Sequence, residues 1–82
     1  MSPLVRLYRR EADRLPTADM SRLDWMITLS LARAFTDVDA TELARAMVEG
    51  SPQLTERKAG HVADYVARTV AKALATALHE KG

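Results

Sequence analysis

The chain has 82 residues, of which 48% are hydrophobic, 5% aromatic and 28% charged, and 12 Lys and Arg stand against 11 Asp and Glu for a net charge of +1. This leaves room for one small domain, residues 1–82, with an aliphatic core, and it excludes a disordered chain, a polycationic tail and an acidic mimic. Cys is absent, so neither a disulfide nor a thiolate metal site is available, which fits a reducing compartment.

The opening, Met1-Ser2-Pro3-Leu4-Val5-Arg6, becomes charged at once and carries no signal-peptide apolar stretch. Ser2 with Pro3 reads as a cap and first helical residue. From there Leu4, Leu7, Tyr8, Ala12 and Leu15 recur at helical spacing, so a first helix is expected over about 3–15, stopped by Pro16. Arg6, Arg9, Arg10 and Arg14 lie on its other side. A second helix is expected over about 20–35, capped by Asp19, with an apolar stripe of Met20, Leu23, Ile27, Leu31 and Ala34. Trp25 and Leu29 lie almost opposite that stripe. A helix apolar on two sides is usually central, which puts Trp25 under the first helix. The rival reading makes Trp25 and Leu29 an exposed anchor for a partner.

The third helix is expected over about 40–49. Asp39-Ala40-Thr41-Glu42 has capping-box spacing, Leu43, Ala44 and Met47 face inward, and Gly50 ends it. Ser51-Pro52 then reads as a new cap with a first-turn Pro, opening a short turn through Glu56. The fourth long helix, about 61–80, has the clearest pattern: Val62, Val66, Thr69, Val70, Ala73 and Ala77 form one stripe. His61, Tyr65, Arg68, Lys72 and His79 form another, basic with one aromatic. The terminal Glu80-Lys81-Gly82 is expected to fray. Asn is missing, as are Asp-Gly and Gly-Gly turn pairs, so β structure has no support. The fold class is therefore all-α: a compact four-helix bundle with an extra short helical turn before the last long helix. The longest uncharged run, residues 25–32, is far short of the roughly 20 residues a membrane helix needs, so a cytoplasmic protein without membrane contact is expected.

Chemistry has few places to reside. Two His and three Gly leave no nucleophile elbow and no phosphate loop, so no enzyme, cofactor or catalytic residue is expected. His61 and Asp64 are two ligands at most, too few for a metal. Asp37, Asp39 and Glu42 read as acids that complement a helix start rather than as a cation site. The +1 total hides an uneven distribution. Residues 1–18 have four Arg against Glu11 and Asp13, residues 19–50 three Arg against six acids, and residues 51–82 five bases against three acids. The best candidate is the row Arg57, Lys58, His61, Tyr65, Arg68 and Lys72. Such a row can meet the phosphates of a single strand while the Tyr stacks on a base. Spacing alone favours a solvated helix face with Tyr65 at its edge, because surface charge runs are common.

Two stretches carry a resemblance. Asp19-Met20-Ser21-Arg22-Leu23-Asp24-Trp25 is one. The other is Ser51-Pro52-Gln53-Leu54-Thr55-Glu56-Arg57-Lys58-Ala59-Gly60-His61 with Asp64-Tyr65, Arg68-Thr69 and Lys72-Ala73. Together they resemble the C-terminal helical domain of plasmid RepB-type DNA primases, enzymes that are found alone or fused to mobilisation relaxases, and the likeness covers about residues 8–75. In that family a separate catalytic domain supplies the metal-binding carboxylates. The resemblance therefore implies a non-catalytic module that assists primer synthesis by meeting single-stranded DNA or the primase catalytic domain. Asp64 can also simply pair with Arg68 four residues on. The short chain admits two origins, an excised domain or a stand-alone small protein. The second implies another use: a mobile-element protein that binds and inhibits a host protein or nucleoprotein complex, as anti-CRISPR proteins do.

Overall fold

The computed structural model describes residues 2–15 and 19–81. Among them are five helices and no strand: α1 (Pro3–Arg14), α2 (Met20–Ala34), α3 (Ala40–Gly50), the single turn α4 (Leu54–Arg57) and α5 (Val62–Lys81). The fold is the expected all-α bundle of four long helices with a short helical turn before the last.

The caps explain most of the boundaries. Ser2 Oγ accepts from the Val5 amide at 3.3 Å and Pro3 follows it, so α1 starts where an orphan donor is satisfied and a missing one does no harm. Asp19 accepts from the Arg22 amide at 3.1 Å, and Asp39 from the Glu42 amide at 2.8 Å. Pro16, expected to stop α1, lies outside the described residues, as does Gly82. At the C-terminal end Glu80 is not frayed. Its carboxylate accepts from both Nε and Nη2 of Arg33, the former at 2.7 Å, and these bonds hold the Glu80 carboxyl below its usual range.

The core lies where α2, α3 and α5 meet, with α1 laid over α3 and α2. Leu23, Ile27, Leu31 and Ala32 of α2 meet Leu43, Ala46 and Met47 of α3, Leu54 of α4, and Val66, Val70, Ala73 and Ala77 of α5. A side chain of the Leu, Ile or Val class, fully buried, gains about 1.5–3 kcal/mol. In α1, Val5 and Tyr8 are completely covered, while Leu4, Leu7 and Ala12, with Leu15 just past its end, pack half-buried at the edge. Val5 was absent from the expected stripe. In α2 it is Ala32 rather than Ala34 that faces inward, and in α3 Ala46 rather than Ala44 is the fully buried alanine.

Gly50 is the last residue of α3 rather than the stop beyond it. A Cβ there would stand 2.7 Å from Tyr8 Cβ and 3.0 Å from its Cγ, so glycine permits α1 to lie against the end of α3. Ser51 does not cap the next turn either. Its hydroxyl turns inward, and α4 starts instead from Gln53, a residue in the left-handed region at φ 55° with no side-chain cap. Gly60, at φ +90°, swings the chain from α4 into α5, in a conformation that residues with a Cβ rarely adopt.

Candidate nucleic-acid interface

The centre of the molecule is a charged side chain on an apolar stripe. Asp24 lies one residue past Leu23 and three before Ile27, so it points into the core, and its side chain has no exposed surface. An isolated carboxylate there would be prohibitive. Four donors from four parts of the chain offset this. Oδ1 accepts from Tyr8 Oη of α1 at 2.6 Å and from Ser51 Oγ. Oδ2 accepts from Tyr65 Oη of α5 at 2.8 Å and from Arg57 Nη2 of α4 at 3.3 Å. Arg57 also donates to Ser51 Oγ at 2.9 Å and to the Pro52 carbonyl at 3.1 Å.

Both phenols respond to this environment. Burial, then the Asp24 charge and the bond to it, push the Tyr8 phenol far above its usual range. Burial, then the bond to Asp24 and its charge, push Tyr65 up to about 12.

From this hub Tyr65 reaches the surface. Its half-buried ring helps to wall a shallow groove between α2 and α5, lined by Ser21, Trp25, Tyr65, Arg68, Thr69 and Lys72. Lys58 Nζ stands 4.5 Å from the Tyr65 ring centroid and donates to Ser21 Oγ at 3.3 Å. Lys72 Nζ stands 5.0 Å from the Trp25 centroid. Each ring therefore presents a face to a cation, an arrangement worth about 0.5–1 kcal/mol at an exposed site. Thr69 Oγ1 donates to the Tyr65 carbonyl at 2.8 Å. Arg68 pairs with Asp64 at 2.9 Å, the i, i+4 pair expected, and both side chains remain well exposed.

The structure thus brings Lys58, Tyr65, Arg68 and Lys72 to one place and adds Trp25, which the sequence assigned to a different surface. His61 is exposed just ahead of α5, where its carbonyl accepts the Tyr65 amide. Arg57 is the exception in the row: its side chain is only 20% exposed and is committed to the interior. Trp25 is half-buried and lies beside α5, where Lys72 stands over its ring, rather than under α1. Leu29, paired with Trp25 in the rival reading, is in the core at 9% exposure. Sequence reasoning gave Asp24 no role. The available signal was a carboxylate in register with Ile27 and Leu31 on the buried face of a central helix.

On α1, the other basic row is partly spent. Arg9 Nε and Nη2 donate to the Glu49 carbonyl at 3.2 and 3.0 Å, and Arg14 pairs with Glu11 at 2.6 Å, leaving Arg6 and Arg10 exposed. Another groove, between α1, the α2–α3 loop and α3, is mainly apolar and lies away from the cationic groove. Among the described residues no group of three His, Asp or Glu could hold a metal, and no helix is long and apolar enough to cross a membrane.

A helical domain that carries a cationic aromatic groove is the class that the geometry defines. Residues 18–73 match the RepB DNA-primase C-terminal helical domain, which is more than half of the chain, and the chain belongs to that family. A relative is "Mobilization protein A" of Escherichia coli, 45% identical over 73 residues. That match covers 89% of this chain and 9% of the relative, so the chain spans less than a tenth of that protein's length. No solved structure matches.

Proposed function

We propose that this chain is the non-catalytic helical module of a mobile-element DNA primase, and that it assists primer synthesis by holding single-stranded DNA. One observation carries this reading: the groove in which Trp25 and Tyr65 are flanked by Lys58, Arg68 and Lys72. A single strand offers a line of phosphates and unpaired bases with open faces. Lysines now resting over the rings can move to phosphates while bases take their place on Trp25 and Tyr65, and base–aromatic stacking contributes about 1–3 kcal/mol per base. Duplex DNA has no free base face to offer. Membership of the primase helical-domain family and the likeness to a mobilization protein favour this partner.

The test is fluorescence anisotropy of a labelled single-stranded oligonucleotide at low and moderate salt. Binding is expected to weaken steeply with salt, and duplex of the same length to bind less well. The Arg68→Ala/Lys72→Ala variant should lose about tenfold in affinity, with a salt slope smaller by about 1.4, two phosphate contacts at about 0.7 each. Absence of binding at low salt, or binding indifferent to the double variant, overturns the proposal.

A further inference from the structure

We infer that Asp24 is a positioning residue for this groove, holding the Tyr65 ring in place from inside the core; the inference rests on the single-strand reading above. The two oxygens of Asp24 divide their work. Oδ1 takes the inner donors, Tyr8 and Ser51, and fastens the carboxylate to α1 and the end of α3. Oδ2 takes the donors on the groove side, Tyr65 and Arg57. A phenol bonded at 2.8 Å to a fixed, fully buried acceptor loses the freedom to swing about its side-chain torsions. Its outer face is thereby set before a strand arrives. Arg57 extends the effect. Bonded at once to Asp24, Ser51 and the Pro52 carbonyl, it pins α4, and the next residue, Lys58, stands over the same Tyr65 ring. Binding to an already ordered surface avoids the entropic cost of ordering it.

Removing Asp24 outright threatens the fold, so the test uses the two phenols that donate to the same carboxylate. Tyr65→Phe keeps the groove's ring and deletes one bond to Oδ2. Tyr8→Phe deletes a comparable bond to Oδ1 in the core, remote from the groove. Both variants are measured for thermal stability and for affinity towards labelled oligo-dT. Both should lose stability. Tyr65→Phe should weaken binding about 3- to 10-fold with an unchanged salt slope, since no cation has been removed, whereas Tyr8→Phe should bind within twofold of the wild type. In an Asp24→Ala background, assayed at a temperature where that variant is still folded, Tyr65→Phe should then add less than twofold, because alanine offers the hydroxyl no side-chain acceptor.

Binding by Tyr65→Phe at the wild-type level overturns the inference, as does an equal loss in Tyr8→Phe, which would mean that the network acts through stability alone. A full Tyr65→Phe effect persisting in the Asp24→Ala background also overturns it, by showing that the hydroxyl acts on DNA directly. Failure of the wild type to bind oligo-dT at low salt is a different result: it removes the single-strand reading itself, and this inference with it.

Discussion

Asp24 shows how the worth of a buried charge depends on its partners. With four donors in place the carboxylate is tolerated; with the carboxylate gone, two phenols, a hydroxyl and a guanidinium are left facing one another in the core. Breaking a buried pair from one side costs about 3–5 kcal/mol. Asp24→Ala should lose that much in urea unfolding, a large share of the roughly 5–15 kcal/mol typical of a small protein. The phenols give a second measurement. The chain has two Tyr, and both titrate above the ordinary phenol value of 10.0 when folded, Tyr65 at about 12 and Tyr8 higher. Raised values mean that the folded state favours the protonated form. The associated stability is thus complete below pH 10 and is lost as the pH rises towards and through 12. Absorbance at 295 nm should accordingly show little phenolate at pH 10.5 in the native protein and an immediate rise on adding denaturant.

Helix boundaries were set by chemistry that neighbours in sequence supply, which is why most of them were legible. Asp39 caps α3 three residues ahead of the amide it accepts, and Asp39→Ala should cost about 1 kcal/mol in chemical unfolding. The long stripe of α5 was readable for the same reason: Val66, Val70, Ala73 and Ala77 repeat with the helix and are buried. What was not legible depended on residues distant in sequence. Ser51 has every local mark of a cap, yet its hydroxyl goes to Asp24, 27 residues away. Arg57 belongs to a basic row by spacing, yet the same carboxylate draws it inward. Gly50 looks like a stop signal, but it is a clearance for Tyr8, 42 residues earlier. Gly50→Ala should therefore lose about 1–3 kcal/mol by overpacking, despite alanine's better helix propensity, and the same unfolding assay reads it. Of the site, Lys58, Tyr65, Arg68 and Lys72 were visible in one stretch of sequence. Trp25 joined them only through the packing of α2 on α5.

The molecule carries its two basic ends on different helices, α1 and α5, around an acidic middle stretch. Arg6 and Arg10 on α1 remain exposed, so bulk charge alone would let either helix attract DNA; the groove walled by Trp25 and Tyr65 lies against α5. Arg6→Ala/Arg10→Ala should consequently change single-strand affinity less than twofold, while Arg68→Ala/Lys72→Ala has the tenfold effect, both read by anisotropy at one salt concentration. The chain's one Trp supplies an independent readout. Oligo-dT should quench Trp25 emission as a base takes the place of Lys72 over the indole, with the same midpoint as the anisotropy titration.

The four-way junction at Asp24 also bears on how the chain comes apart. Its donors arrive from α1, the end of α3, α4 and α5, so a species with any one of these undocked holds a buried charge short of a partner. Such half-open forms are penalised, and unfolding is driven towards a single all-or-none step. Native-state hydrogen exchange should then find the slowest amides of α1, a peripheral helix, protected to nearly the same free energy as those of α5, in a molecule small enough for its edges otherwise to open first.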